Sequence, residues 1–585
     1  MKRWLLFSVF TLPLVSLLVC TAVFPTRATN FSEAKRGNAP GDAEPMKVEV
    51  KPWGPTQEML DEASARLAKH AQVRRYLKGT RYRLLSFDLV LPDEKASAEL
   101  IPPSRYRGTF YDYTNDLTIV AEGSFDRPET VVVTTAATQP LPSNEELDEA
   151  AAILKSDPKL GPAILDERVG VYHPMPPLYT PEKSRGRAER IVNVGLMAKD
   201  SSDKSVERTN EVVAVNLSRR TVLRFAEGAP PTSRAVNAAT CGGSSSGSST
   251  GRGVAGQYLF KINAQDGTKL WSFLAIRPSA SSGADASGIE LQNVYYRGRL
   301  VLKRAHVPIL NVQYDSNLCG PYRDWEYAES AFSADPTNGT TVTPGVRSCT
   351  IPATTQLDTD VDVGNFQGIA YYTQGDATIL VSEMSAGWYR YISEWGFHAD
   401  GTISPRFGMG ATANSCTCNG HHHHAYWRFD FDIDGSSPNR VLESSENSTG
   451  GITLKPLPLY IPITTEAKRY RKNLLPYVVD NPVTRHSYQI RPNFNDGTAV
   501  TDTYGGGDMW FLNYSATELD DSTVRTGTAA NLDAFVNNQP ISTGGDLVVW
   551  YAIHVGHYHT GAPGVGENSI TGELVAGPDL VPMRW

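Results

Sequence analysis

From Val254 to the C-terminus the chain is written almost entirely in short alternating strands. Apolar residues recur at every second position, Gly, Asn and Asp punctuate the runs, and no sustained helical period appears. A stretch of about 330 residues with that pattern predicts one large β-sandwich. At 585 residues the chain is also too long for a single core. Further domains are expected upstream.

Two upstream stretches read as small α+β units. In residues 50–140, a helix over 55–78 opens at Pro55-Thr56, with Leu60, Ala63 and Leu67 at helical spacing. Strand-like runs follow at Tyr82–Leu91, Tyr106–Phe110, Asp116–Gly123 and Thr130–Thr135. Residues 141–228 repeat the outline with a helix from Asn144 to Lys155 and strands at 189–198, 211–216 and 221–226. The two modules are not alike in sequence. Residues 229–253, rich in Gly and Ser around Cys241, form a linker, and 254–585 is the sandwich. The fold class is therefore mainly β: a large C-terminal sandwich preceded by two small α+β domains.

Residues 1–28 carry Lys2-Arg3, an uncharged run from Trp4 to Phe24, and small residues at Cys20-Thr21-Ala22. This is the make-up of a signal peptide, and the length of the run also allows a membrane anchor. Either reading places the rest of the chain outside the cytosol, in a secreted or anchored form. Five sequons agree, at Asn30, Asn216, Asn338, Asn447 and Asn513. In an oxidising compartment Cys319 and Cys349 are candidates for a disulfide. Cys416-Thr-Cys418 reads alternatively as a pair of soft metal ligands. A net charge of -8 excludes nucleic acid as an expected partner.

Histidine is concentrated. Seven of the 12 histidines fall in two strand-like runs: His421 to His424 before Ala425–Ile433, and His554, His557 and His559 in the run that begins at Asp546. Residues two apart on a strand share a face, so the tract can aim two imidazoles at one ion. A surface patch with adventitious metal affinity is the bland reading of four histidines. The second cluster turns the balance toward a metal site.

The chain resembles the copper-containing amine oxidases, whose cofactor topaquinone (TPQ) derives from a tyrosine. Gly387-Trp388-Tyr389-Arg390-Tyr391-Ile392 is similar to the family's cofactor segment, followed by Trp395 and Asp400-Gly401-Thr402-Ile403. His421-x-His423 with Arg428-Phe-Asp430-Phe-Asp432-Ile-Asp434-Gly435 resembles its two-histidine strand, and Asp546–Trp550 running to His557 its third-histidine strand. The resemblance covers roughly residues 50–560 and is strongest over 380–435. It implies copper on His421, His423 and His557, the register being set by counting back from Asp430 and forward from Asp546; His559 is the fallback. It implies calcium on Asp430, Asp432, Asp546 and the carbonyls of Phe431 and Leu547. It makes Tyr389 the quinone precursor and Tyr314 its hydrogen-bonding partner. Glu329, in Tyr327-Ala328-Glu329, stands where the family's Asp base is expected, with Asp324 and Asp315 as substitutes.

Trp388 and Arg390 depart from the family's flanking Asn and acid, and an extended segment would put both on the face opposite Tyr389. The implied activity is a secreted primary-amine oxidase that converts a small amine and O2 to aldehyde, hydrogen peroxide and ammonia, in a homodimer. Two other readings stay open. One is a catalytically silent, copper-binding extracellular protein; the other is a zinc hydrolase, because three histidines suit zinc as well.

Overall fold

The computed structural model describes residues 46–91, 100–136, 139–172, 189–199, 203–208, 210–224, 244–245, 249–283, 286–314, 322–324, 326–359, 361–362, 364–412, 417, 420–444, 460–471, 474–502, 504–515, 532–541, 545–557 and 575–585. The leader segment, Asn30, Cys241, Asp315, Cys319, Cys416, Cys418, Asn447 and His559 lie outside these residues, as does most of the linker. Among the described residues no helix is long and apolar enough to cross a membrane.

The first small unit packs helix Gln57–Lys69 on an antiparallel sheet of strands Tyr82–Val90, Arg105–Asp112, Leu117–Ser124 and Val132–Ala136. Leu60, Ala63 and Leu67 bury one helical stripe against Phe87, Tyr106, Phe110 and Ile119. The Thr56 hydroxyl caps the helix by accepting from the Met59 amide at 3.3 Å. The expected single helix over 55–78 is two helices. His70 is extended (φ −61°, ψ 138°), and its ring accepts from the Gln72 amide at 3.3 Å to start a second helix, Ala71–Leu77.

The second unit sets helix Asn144–Ser156 on strands Val169–Tyr172, Ile191–Ala198, Asn210–Asn216 and Thr221–Arg224. Ser143 and Glu146 close a capping box. Glu146 is fully buried because Arg190 donates to both its oxygens, at 2.8 and 2.6 Å, while Tyr113 of the first unit donates at 2.6 Å. That shared carboxylate ties the two units together.

The sandwich is built from two large sheets. In the first, Arg299–Tyr314, His421–Phe431, Leu547–His557 and Met509–Asn513 are consecutive neighbours. In the second, Ala377–Ala386, Tyr389–His398 and Ile403–Ala411 are neighbours. One apolar core draws on both: Val301, Leu310, Ala425, Trp427 and Tyr551 from the first, and Leu380, Tyr391, Trp395 and Phe407 from the second. The sandwich does not begin at Val254. Strand Lys47–Pro52 pairs antiparallel with Gln257–Asn263 at the edge of the first sheet, with Val48 and Val50 packed against the common core.

Three sequons can be placed. Asn216 is buried and donates to Glu189, Asn513 donates to Glu466 at 3.0 Å, and Asn338 is exposed. Cys349 is a buried thiol, which burial pushes up to about 11; its expected disulfide partner Cys319 lies outside the described residues.

Candidate metal and redox centre

The site forms where one strand of each sheet faces the other. His421 and His423 alternate inward on strand His421–Phe431. Its neighbour runs antiparallel with His421 opposite His557, which brings the third imidazole alongside. His421 Nε2 lies 3.0 Å from His557 Nδ1, and the ligand atoms of all three histidines lie within 4.8 Å of one another.

All three rings are buried, and burial with the neighbouring His421 and His557 holds His423 well below the usual histidine range. It is a neutral imidazole at ordinary pH. Its Nε2 is buried with no hydrogen-bond partner. An orphaned lone pair in a dry cavity is costly unless something accepts it. A metal ion does so, and three imidazole nitrogen donors fit Cu(II), with zinc below it in intrinsic affinity. The donor set therefore suits the implied copper.

The facing strand, Tyr389–His398, supplies two tyrosines. The Tyr389 hydroxyl lies 2.5 Å from His421 Nε2, and its ring stands edge-on to His423 at 4.6 Å between centroids. Tyr391, two residues on and on the same face, donates to Asp324 Oδ2 at 2.5 Å and lies 3.2 Å from His423 Nδ1. Asp324, Tyr391 and His423 thus form a chain that places the proton of His423 on Nδ1 and leaves Nε2 free to ligate.

Glu329 is not brought to this cluster. Strand Glu329–Ser330 pairs with Met384, whose other neighbour is Tyr391, so two ladders separate Glu329 from the tyrosines. Its carboxylate is held by Arg277, with Nε donating at 2.7 Å and a terminal nitrogen donating to the second oxygen, and by the Ser279 amide at 3.1 Å. The carboxylate that reaches the cluster is Asp324, through Tyr391. Tyr314 ends its strand in register with His421; its side chain lies outside the described residues.

The other two histidines of the tract face away. His424 lies 2.9 Å from Asp502 Oδ2 and 2.7 Å from His554 Nδ1, and His554 Nε2 donates to the Gly507 carbonyl at 2.9 Å. Burial first, offset in part by Asp508, holds His554 at about 4. His422 is half-buried, 3.8 Å from Asp502. At the far end of the same strands Asp430, Asp432 and Asp546 bring carboxylate oxygens within 4.8 Å of one another, Phe431 being paired with Leu547.

Trp388 is not on an extended strand. Ala386 pairs with Tyr389, so Gly387 and Trp388 are the two-residue turn of a hairpin, and Gly387 takes the φ of +57° such a turn needs. Arg390 does lie on the face away from Tyr389, buried against Asp362.

The fold has precedents among solved structures. A copper-containing benzylamine oxidase from Hansenula polymorpha matches with a TM-score of 0.55 and 14% identity, over 91% of this chain and 97% of that one. The chain has the copper amine oxidase fold. A lysyl oxidase from Pichia pastoris matches at TM-score 0.52 and 11% identity, over 91% of this chain and 90% of that one. An amine oxidase from Aspergillus nidulans matches at 0.52 and 13%, over 93% and 91%. No protein-family model and no curated protein sequence matches the chain. At these identities the likeness to copper amine oxidases is one of fold, and the chemistry has to be argued from this chain's own residues.

Proposed function

We propose that the protein is a secreted copper- and topaquinone-dependent primary-amine oxidase. The observation that carries this reading is the Tyr389 hydroxyl 2.5 Å from His421 Nε2, beside a buried nitrogen triad with one orphaned lone pair. A phenol packed for shape alone has no need of that contact. His421, His423 and His557 would hold copper, and Tyr389 would become the quinone, consuming two O2 and releasing one hydrogen peroxide as two oxygens enter its ring. Copper and quinone together supply an electron sink for the net reaction of a primary amine, O2 and water to an aldehyde, ammonia and hydrogen peroxide.

The chain's own residues have distinct tasks. Asp324 takes the proton released from the substrate carbon; it is the carboxylate in the cluster, whereas Glu329 is committed to Arg277. Tyr391 holds Asp324 and fixes the tautomer of His423. Burial of Tyr389 and the triad excludes water from the reacting atoms. Tyr314 would hydrogen-bond the cofactor oxygen. Asp430, Asp432 and Asp546, with the carbonyls of Phe431 and Leu547, would hold calcium away from the chemistry. A small amine is the substrate class, and a homodimer the expected assembly.

The test is metal-free protein given Cu(II) and air. A visible quinone absorbance, trapped by phenylhydrazine on the peptide containing Tyr389 and lost in Tyr389→Phe with copper retained, is expected. Full copper with Tyr389 unmodified would make it a silent copper-binding protein. Zinc binding with hydrolysis would make it neither.

A further inference from the structure

We infer that Arg390 is a positioning residue for Tyr389, acting through the backbone of the turn that delivers it. Arg390 is buried on the side of its strand away from the metal cluster. One terminal nitrogen donates to the Tyr389 carbonyl at 2.8 Å and to the Gly387 carbonyl at 3.2 Å; the other donates to Asp362 Oδ2 at 2.6 Å. The carbonyl between them, on Trp388, accepts from the Thr412 amide at 2.7 Å and the Thr412 hydroxyl at 3.1 Å.

Three consecutive carbonyls are thus held from side chain or backbone. Hairpin turns usually present such carbonyls to water; this one is buried, and Trp388 is buried with it. Without donors it would be free to change conformation, and Tyr389 is the first residue after it. Holding the turn fixes the Tyr389 Cα, so only side-chain torsions remain to move the hydroxyl from its place 2.5 Å from His421 Nε2.

Only arginine fits the task. Its planar fork reaches two carbonyls and a carboxylate at once, whereas a lysine ammonium is a compact charge that can keep the pair with Asp362 but not the fork. Asp362 supplies the counter-charge that a buried guanidinium requires. The inference rests on the amine-oxidase reading only where it predicts a rate of quinone formation; the placement of Tyr389 stands apart from it.

The experiment uses Arg390→Lys and the double variant Arg390→Met with Asp362→Asn, which removes both charges. Three quantities are read on the full chain: copper per chain, the rate of quinone formation after Cu(II) and air, and nitration of Tyr389 relative to Tyr391 by tetranitromethane in metal-free protein. Arg390→Lys should keep full copper and still unfold cooperatively, with its melting temperature lowered only by the lost carbonyl hydrogen bonds. It should form the quinone about 10- to 100-fold more slowly, the scale of loss for a small misplacement of reacting groups. It should also nitrate Tyr389 several-fold faster relative to Tyr391. If the lysine variant does not fold, the double variant decides by the same measurements. Wild-type rates and nitration ratios would overturn the inference, and so would losses of copper and stability in step with quinone, or failure of both variants to fold. If wild-type protein forms no quinone, the oxidase reading fails alone, and the nitration ratio still decides this one.

Discussion

Glu383→Gln should make the protein more stable, and only above a certain pH. Glu383 is fully buried on the first strand of the Tyr389 hairpin. One carboxyl oxygen accepts from the Gln356 amide at 2.7 Å, and the other is buried with no hydrogen-bond partner. Burial is the largest influence and raises the group. The Gln356 amide, Arg390 and the Ser330 hydroxyl work against it, Asp362 works with it, and the result is about 7 against an ordinary 4.5. Native protein therefore keeps a proton that the unfolded chain releases, and stability falls as pH rises between those values, the cost being complete above about pH 7. A difference of that size corresponds to about 3 kcal/mol, as an order of magnitude. Glutamine keeps the oxygen that meets Gln356 and cannot ionise. Denaturant unfolding of metal-free wild type and variant from pH 5 to pH 8 measures the gap. Wild type should lose about 3 kcal/mol relative to the variant across that range, and difference infrared spectroscopy should show a protonated carboxyl at pH 6 that the variant lacks. A gap that does not change with pH, or an ionised Glu383 at pH 6, refutes the reasoning.

Other outcomes follow from the same geometry. His421→Ala, His423→Ala or His557→Ala should each abolish stoichiometric copper by elemental analysis, while His422→Ala and His424→Ala, on the opposite face, keep most of it. Asp324→Asn should lower kcat with a primary amine by about 10²–10⁴-fold, the usual loss of a positioned base, with copper retained. Glu329→Gln should instead act on stability: a buried Arg277 left without its counter-charge costs about 3–5 kcal/mol, read as a lower denaturation midpoint. In secreted protein, glycopeptide mapping should find a glycan on the exposed Asn338 and none on the buried Asn216.

Much of the fold was legible because its signals are local. Helical stripes such as Leu60, Ala63 and Leu67 became the buried faces of the small units, and alternation after Val254 became two sheets around one core. What escaped was long-range. Residues 47–52 are too short a run to announce a strand, and they earn their place only through a partner some two hundred residues away. The break at His70 was hidden for a different reason: an apolar period continues through it, and what stops the helix is the ring's preference for capping the next one.

The site divides along the same line. A metal face made by neighbouring strands can be counted in the sequence, because period two places His421 and His423 together and an antiparallel register then needs only one anchor to bring His557 beside them. A carboxylate from another segment has no such ruler. Asp324 and Glu329 are five residues apart in the sequence, and nothing in that stretch says which one turns toward Tyr391 and which toward Arg277. The difference is made by pairing. Strand Tyr322–Arg323 runs beside Asn311 and Val312, on the strand that also borders His423, and it delivers Asp324 to Tyr391. Glu329 is drawn off by its ladder with Met384 in the other sheet. The departures at Trp388 and Arg390 take their meaning from pairing too: once Ala386 is matched with Tyr389, tryptophan becomes a turn residue and arginine becomes the group that holds the turn.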